Sequence, residues 1–308
     1  MNMADMQHLQ NLRGELRLNA PMAKPVSWRA GGVAARAYWP ADLDDLAAFL
    51  RTVSAMEVLY FVGLGSNLLV RDGGVRATVV FTHWALRQIQ LLRKGENNIA
   101  IYAEAGIASP KVARFAALHG AAGAEFLAGI PGTVGGALAM NAGCYGGETW
   151  NIVASVRTID RQGVVRERAA ADFNIGYRRV SGAADEAFVG ATFQIPRGDG
   201  EESHNKIKEL LSKRIASQPL QQPNAGSVFR NPPNDYAARL IEACGLKGQR
   251  IGGAEISNKH ANFIVNIGGV GVTKAADIEA LIDLVQNAVR EKFGVDLERE
   301  VRIIGEHA

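Results

Sequence analysis

Two glycine-rich segments contain the residue types and spacings that point most directly to chemistry. The first is the loop Gly63-Leu-Gly65-Ser66-Asn67-Leu68, which follows a short apolar stretch. Its glycines leave backbone N–H groups accessible, and Ser66 and Asn67 add side-chain donors, so the loop is suited to holding a phosphate. A simple glycine-rich turn explains the loop equally well. The dinucleotide fingerprint G-x-G-x-x-G is excluded because Leu68 stands in place of its third glycine.

The second segment runs from Gly129 to Gly143 and consists largely of glycine and alanine. An interior glycine costs a helix or strand about 0.5–1 kcal/mol relative to alanine, so this composition needs a structural reason. A dinucleotide whose flat ring lies against the backbone is one such reason. Tight packing of helices through small side chains is the alternative.

These two segments belong to a series of motifs that extends over nearly the whole chain. The other members are Arg29-Ala-Gly-Gly32, Gly176-Tyr177-Arg178, Ala225–Pro232, Leu240–Glu242, Gly245–Gly248, His260–Asn266 and Glu300-Val301-Arg302. In this order and spacing they resemble the family of UDP-N-acetylenolpyruvoylglucosamine reductases, flavoproteins with the FAD-binding fold of the vanillyl-alcohol-oxidase type. The chain is similar to the shorter members of that family, which lack an extra tyrosine-bearing loop in the third domain.

The resemblance implies an α+β fold, with a FAD-binding module of two subdomains and a C-terminal α+β substrate-binding domain. The expected ranges are residues 1–82 joined by the tail 302–308, residues 83–199, and residues 200–301 for the substrate-binding domain. FAD is expected to be bound without a covalent link. The residues that the resemblance assigns to FAD are Arg29, Gly63, Gly65, Ser66, Asn67, Gly129, Pro131, Gly132, Thr133, Gly135, Gly136, Asn141, Ala142 and Gly143.

The implied reaction reduces the enolpyruvyl group of UDP-N-acetylglucosamine enolpyruvate to UDP-N-acetylmuramate, a step of peptidoglycan precursor synthesis. NADPH is the co-substrate that reduces FAD. The flavin then gives a hydride to the far carbon of the enol ether, and the neighbouring carbon takes a proton. Tyr177 is expected to close over the nucleotide sugar. The residues expected to bind this substrate are Tyr177, Asn231, Lys259, His260 and Asn262.

Three residues of the matching motifs meet the chemical demands of this reaction. Hydride addition builds an enolate beside a carboxylate, and the guanidinium of Arg178 suits it because this group is permanently charged and binds carboxylates with two donors. Ser227 matches the proton donor of the family, and a positioned donor contributes about 10²–10⁴-fold to a rate. Glu300 matches the glutamate that polarises the enol or helps with the proton. Without the resemblance, a surface arginine, a turn serine bonded to its own backbone and a solvent-facing glutamate are the alternatives.

Alternating helices and strands must position these residues. A helix is predicted over Asp42–Met56, with Asp42 as its N-cap. A long helix over Lys274–Phe293 is predicted to be capped by Thr273. A final strand over Leu297–Ile304 would carry the glutamate.

Composition excludes several classes of protein. The 308 residues are 47% hydrophobic and 21% charged, and the net charge of +3 comes from interleaved basic and acidic residues, unlike a nucleic-acid-binding surface. Cys144 and Cys244 lie far apart, which argues against a disulfide framework, and no metal site is expected. Because Met1–Asn11 is polar and no apolar run approaches the roughly 20 residues that span a bilayer, we expect a cytoplasmic monomer without membrane insertion.

Two other functions fit parts of the pattern. One is a flavin-dependent oxidase of hydroxy acids or alcohols with the same fold, although the first loop lacks the histidine through which many such oxidases hold FAD covalently. The other is a non-catalytic nucleotide-sugar binding protein, which would need neither Ser227 nor Glu300. The presence of all three catalytic residue types favours the reductase.

Overall fold

The computed structural model describes residues 12–308, so the prediction made for Met1–Asn11 lies outside the described residues. The chain divides into two compact units, each built from segments that are distant in sequence. Unit 1 comprises residues 12–17, 37–63 and 77–212, and unit 2 comprises residues 18–36, 64–76 and 213–308. None of the helices within residues 12–308 combines the length and apolarity needed to cross a lipid bilayer.

An antiparallel five-stranded sheet forms the centre of unit 1. In pairing order its strands are β11 (Val165–Ala169), β10 (Val153–Asp160), β14 (Glu186–Pro196), β7 (Asn98–Glu104) and β6 (Ile89–Lys94). The apolar side chains of this sheet share a core with those of two helices, α2 (Ser109–Leu118) and α3 (Val134–Met140). Burial of this shared core fixes α3, which contains much of the second glycine-rich segment.

A second sheet contains, in pairing order, β1 (Glu15–Pro21), β2 (Val33–Trp39), β5 (Val75–Phe81) and β3 (Leu59–Val62). The helix α1 (Leu43–Thr52) begins after Asp42, whose side chain accepts a hydrogen bond from the Asp45 N–H at 2.9 Å. The predicted N-cap is therefore confirmed. Phe49 of α1 is buried and stacks on Tyr38, with ring centroids 3.8 Å apart.

Unit 2 surrounds a separate apolar core. Its elements are the antiparallel strands β15 (Arg250–Ile251), β16 (Ala254–Ile256) and β17 (Ile264–Asn266), the parallel pair β4 (Leu68–Val70) and β18 (Arg302–Ile304), and the helices α5 (Ala237–Ala243) and α6 (Ala275–Phe293). Further elements are α4 (Gly200–Ser217), three short 3-10 helices (Glu125–Gly129, Thr149–Ile152 and Ala170–Asp172), and two strand pairs. These pairs are β8 (Gly143–Cys144) with β9 (Gly147–Glu148) and β12 (Asn174–Gly176) with β13 (Arg179–Ser181). This mixture of helices with mainly antiparallel sheets confirms the α+β class.

The predicted N-cap of α6 is wrong. Lys274, not Thr273, is the N-cap residue. The hydroxyl of Thr273 donates to the carbonyl oxygen of Gly253 (2.9 Å), which draws it away from the helix. The carboxylate of Asp72 instead accepts hydrogen bonds from the first two N–H groups of α6, both at 2.9 Å.

The predicted final strand is wrong in its first half. Only Arg302–Ile304 forms regular strand pairing, with β4. The residues before it make one isolated bridge, between Arg299 and Phe229. Glu300 therefore lies ahead of β18, in a segment held by another loop.

Candidate functional site

The first glycine of the loop 63–68 meets the second glycine-rich segment within unit 1. A Cβ atom added to Gly63 would lie 2.2 Å from Oγ1 of Thr133, so this contact requires glycine. Thr133 is the N-cap residue of α3 and is 1% exposed, and its Oγ1 has no hydrogen-bond partner within residues 12–308. An N-cap threonine usually binds a backbone N–H of the first turn. The unpaired hydroxyl therefore suits a polar atom of a ligand.

The glycines of the segment 129–143 serve two purposes. Gly129 and Gly135 are packing positions, because an added Cβ would lie 2.6 Å from Sγ of Cys144 and 2.9 Å from Cβ of Ala105, respectively. Gly136 is exposed, and its Cβ would meet only Oγ1 of Thr133, at 3.9 Å. The packing interpretation is supported at Gly129 and Gly135. The open face at Gly136 leaves room for the flat ring of the other interpretation, which stays a prediction.

Main-chain hydrogen bonds fix the two ends of this segment. Pro131 is exposed, and the carbonyl oxygen of Gly132 accepts from the N–H of Ser109 at 2.9 Å, just before α3 begins. At the other end, the carbonyl oxygen of Ala142 accepts from both the N–H (3.0 Å) and the hydroxyl (2.6 Å) of Thr149. The segment is therefore held in place independently of any ligand.

The C-terminal end of α3 orients the predicted catalytic arginine. Asn141 ends the helix in a left-handed conformation (φ 45°), and its side-chain NH₂ group donates to the carbonyl oxygen of Gly176 (3.1 Å) and to Oε2 of Glu148 (2.8 Å). The guanidinium of Arg178 donates in turn to the carbonyl oxygens of Asn141 (3.3 Å) and Gly143 (2.8 Å). Hydrogen bonds to two main-chain oxygen atoms thus fix the orientation of the Arg178 guanidinium.

Tyr177 and Arg178 form the two-residue turn of a hairpin, because Gly176 pairs directly with Arg179. Arg178 has φ 53°, a conformation that favours glycine or asparagine at this position of a turn. Its guanidinium lies 5.3 Å from the centroid of the Tyr177 ring, which is itself about half exposed. Such backbone conformations in non-glycine residues are often found at functional sites.

Unit 2 brings Ser227 and Glu300 onto neighbouring backbone segments. The N–H of Glu300 donates to the carbonyl oxygen of Val228 at 2.8 Å. The Ser227 hydroxyl makes no hydrogen bond to any residue of the described part of the chain. Ser227 is therefore not the self-bonded turn serine of the alternative interpretation.

The rest of the loop 63–68 joins the same segments. Asn67 donates from Nδ2 to the carbonyl oxygen of Glu300 (3.0 Å), and its own carbonyl oxygen accepts from the N–H of Arg302 (3.0 Å). Gly65, with φ 60°, and half-buried Ser66 precede it. The loop is therefore tied to the backbone at Glu300 and two residues after it.

Arg29 also lies in unit 2. It is exposed and has φ 57°, and its guanidinium donates to the carbonyl oxygen of Lys24. The adjoining Trp28 is buried, and its indole Nε1 donates to the carbonyl oxygen of Ile264 at 2.8 Å. The aromatic residue therefore anchors the turn that carries the arginine.

Four of the five residues predicted to bind substrate lie in unit 2. Asn231 is exposed and accepts from the N–H of Ala237 (3.1 Å) at the start of α5, and exposed Lys259 donates to a carbonyl oxygen. Burial, with a smaller effect of Lys247, lowers the pKa of the His260 imidazole below its ordinary value of 6.5, which favours a neutral ring. Asn262 differs from them, because its buried amide binds the main chain of Phe229.

Sequence reasoning missed two residues that hold predicted site residues. Glu148 orients Asn141, and Phe229 accepts and donates the hydrogen bonds of Asn262. Glu148 is seven residues from Asn141, but the pair lies in an irregular segment with no helical or strand spacing to indicate the contact, and Phe229 is 33 residues from Asn262. Within residues 12–308 no group of three His, Cys, Asp or Glu side chains is placed to hold a metal ion.

Two protein families match the chain. The family described as FAD binding domain matches residues 34–168, and the family described as UDP-N-acetylenolpyruvoylglucosamine reductase, C-terminal domain, matches residues 218–304. These matches cover the glycine-rich segments and the loops of Ser227 and Glu300, respectively.

Full-length relatives and a solved structure are similar to the chain. The UDP-N-acetylenolpyruvoylglucosamine reductases of Thiobacillus denitrificans and Nitrosospira multiformis are 56% and 57% identical to it, over 96% of this chain and 94% and 90% of theirs. The crystal structure of UDP-N-acetylenolpyruvylglucosamine reductase from Thermus caldophilus has a TM-score of 0.78, at 30% identity, over 95% of this chain and 99% of that one. The fold predicted for FAD binding is therefore confirmed.

Proposed function

The chain belongs to the family of UDP-N-acetylenolpyruvoylglucosamine reductases and is an FAD-dependent oxidoreductase, and we propose that it reduces UDP-N-acetylglucosamine enolpyruvate to UDP-N-acetylmuramate with NADPH. The observation that carries the proposal is the similarity to reductases of this name over nearly the full length of both chains. Bound FAD supplies the hydride transfer from NADPH to the enolpyruvyl double bond. The domain boundaries, the monomeric state and the cytoplasmic location expected from the sequence stay predictions.

Residues of both glycine-rich segments would hold FAD. The open backbone at Gly136 admits a flat ring, and the Thr133 hydroxyl, which has no partner within residues 12–308, can bind a polar atom of the ligand. The N–H groups of the loop 63–68, with Ser66 and Asn67, suit a phosphate. These residues fit a dinucleotide that is bound without a covalent link.

Arg178 would bind the carboxylate of the enolpyruvyl group. Negative charge grows on this group as the hydride adds to the far carbon and the π electron pair moves toward the carboxylate. The guanidinium stabilises that charge better than it stabilises the neutral double bond, and this difference accelerates the reaction. Its two hydrogen bonds to main-chain oxygen atoms fix its direction before substrate arrives.

Ser227 would give the proton that completes the reduction. Its O–H bond breaks as the new C–H bond forms at the carbon next to the carboxylate, and the serine oxygen must then recover a proton. The Ser227 hydroxyl is engaged by no residue of the described chain, which supports this role. Glu300, in the adjoining backbone segment, would assist the transfer.

The change Ser227→Ala tests the proposal. Flavin reduction by NADPH should remain nearly unchanged, whereas reoxidation of the reduced flavin by the enolpyruvyl sugar should slow by about 10²-fold or more, since only this half-reaction needs the proton. Rapid-mixing absorbance measurements separate the two halves, and Ser217→Ala in α4 is the control that should alter neither. Equal losses in both halves would show that the serine is not the proton donor. Rapid oxidation of a simple alcohol, with no response to the enolpyruvyl sugar, would instead favour the oxidase.

A further inference from the structure

The side chain of Asn262 is engaged by the main chain of the segment that carries the serine. Its Oδ1 accepts from the N–H of Phe229 (3.0 Å), and its Nδ2 donates to the carbonyl oxygen of the same residue (2.8 Å). The carbonyl oxygen of Asn262 also accepts from the N–H of Val228 (2.9 Å). Asn262 is only 4% exposed, so these are buried hydrogen bonds. One residue thus holds both residues that follow Ser227.

The opposite side of this segment is held by the stretch that contains Glu300. The N–H of Glu300 donates to the carbonyl oxygen of Val228 (2.8 Å). The N–H of Arg230 donates to the carbonyl oxygen of Glu298 (2.9 Å). Before the serine the chain turns at Gly226, which has φ 75°. The N–H of Gly226 donates to Oδ1 of Asn224 (2.9 Å), so hydrogen bonds hold the main chain on both sides of the serine, and those that follow it come from Asn262 and from the stretch of Glu300.

We infer that Asn262 is a positioning residue for proton transfer, which fixes the main chain presenting the Ser227 hydroxyl. The inference rests on the proposed function, in which Ser227 donates the proton. It differs from the sequence-based expectation that Asn262 binds substrate. A side chain that turned toward substrate would leave the buried N–H and C=O of Phe229 unpaired, which proteins rarely tolerate.

The change Asn262→Ala tests this role in the FAD-loaded protein. At saturating enolpyruvyl sugar, reoxidation of the reduced flavin should slow at least tenfold, and up to about 100-fold, because a small misplacement of a reacting group has effects of this size. Flavin reduction by NADPH and the substrate Kd should stay nearly unchanged. Asn262→Ser, which retains a hydroxyl for one group of Phe229, should recover part of the rate and carries the test if the alanine variant does not fold. The control is Asn258→Ala, an exposed asparagine four residues earlier, which should change nothing.

A double substitution gives a result that a purely structural role would not produce. If Asn262 acts through the serine, Ser227→Ala with Asn262→Ala should reoxidise no more slowly than Ser227→Ala alone. Additive slowing, or a raised substrate Kd with a normal rate at saturation, would overturn the inference. If reoxidation is slow in Ser227→Ala but normal in Asn262→Ala, only the positioning role of Asn262 is refuted. Normal reoxidation in Ser227→Ala itself refutes the proposed role of the serine.

Discussion

Arg178 adopts a backbone conformation that is costly for an arginine. At φ 53° in a two-residue turn, it occupies a place where glycine or asparagine is favoured, and such positions cost on the order of 1–3 kcal/mol. Two hydrogen bonds to main-chain oxygen atoms and the neighbouring Tyr177 ring offset part of this cost. Recognition of a carboxylate gives a chemical reason to keep a guanidinium there.

The change Arg178→Lys should lower kcat at least tenfold, which corresponds to about 1.4 kcal/mol of transition-state stabilisation. Lysine keeps the positive charge, but its ammonium group cannot bind both oxygen atoms of a carboxylate with two parallel, coplanar hydrogen bonds as a guanidinium does. Steady-state kinetics with the enolpyruvyl sugar would measure the loss, and the matched control is Arg179→Lys in the exposed strand β13. An unchanged kcat in Arg178→Lys, or the same loss in both variants, would contradict the assignment.

Residue types were easier to predict than their partners. The resemblance of the motifs identified Arg178, Ser227 and Glu300 as candidates, and the structure places the last two on adjoining segments. The same reasoning grouped Asn262 with the substrate ligands. A motif records that an asparagine is present but does not record whether its amide contacts a ligand or a main chain.

At the scale of single elements, α3 shows how a helix can contain adjacent glycines for different reasons. Gly135 leaves room for Ala105, whereas Gly136 faces open space. The buried face of α3 is supported by the core of unit 1, which compensates for the weak helical tendency of its glycines. The exposed face is therefore available for a ligand.

The change Gly136→Ala should weaken FAD binding roughly tenfold, or about 1.4 kcal/mol, without destabilising the apoprotein. Alanine favours the helix by about 0.8–1 kcal/mol over glycine and meets no close protein atom, but its methyl group would stand where the flat ring is proposed to lie. Flavin titration and the thermal unfolding of the apoprotein would measure the two effects. In contrast, Gly135→Ala should destabilise the apoprotein, because its methyl group would press on Ala105. Unaltered FAD affinity in Gly136→Ala would argue against this surface.

The first turn of α6 is capped from a distant part of the chain. Asp72, in the loop after β4, accepts hydrogen bonds from the N–H groups of Ala275 and Ala276. We expect Asp72→Ala to lower the free energy of unfolding by about 0.5–2 kcal/mol, the usual effect of removing a helix cap. Urea unfolding would measure it, with the exposed acid Asp283→Ala of the same helix as the control. Equal stability of the two variants would contradict this capping role.

Helix ends were predictable where the cap is local. Asp42 lies directly before α1 and caps it, as the sequence indicated. Thr273 had the same local signature before α6, yet its hydroxyl binds Gly253, and a carboxylate about 200 residues earlier in the chain takes its place. A contact of this length is set by tertiary packing and leaves no local pattern.

At the scale of the whole molecule, the chain enters unit 2 three times, at residues 18–36, 64–76 and 213–308. The sequence-based domains were almost continuous ranges, since a pattern read along the chain does not show which distant segments pack together. Their boundaries stay predictions. The fold class was predictable because the motifs that indicate it are distributed over the entire chain. A UDP-N-acetylenolpyruvoylglucosamine reductase accordingly matches 96% of the length of this chain.

The residues proposed to act in the reaction are distributed over both units in the sequence. Arg178 belongs to unit 1, and Ser227 and Glu300 belong to unit 2. Each unit also holds part of the residue set assigned to FAD. A test of the proposed function should therefore use the intact, FAD-loaded protein, which contains all of these residues.

The most direct measurement is the absorbance spectrum of the flavin-loaded protein without oxygen. Addition of NADPH should bleach the flavin band, and subsequent addition of UDP-N-acetylglucosamine enolpyruvate should restore it with formation of one equivalent of UDP-N-acetylmuramate. A protein that does not retain flavin, or whose bleached band stays bleached in the presence of the enolpyruvyl sugar, would contradict the account.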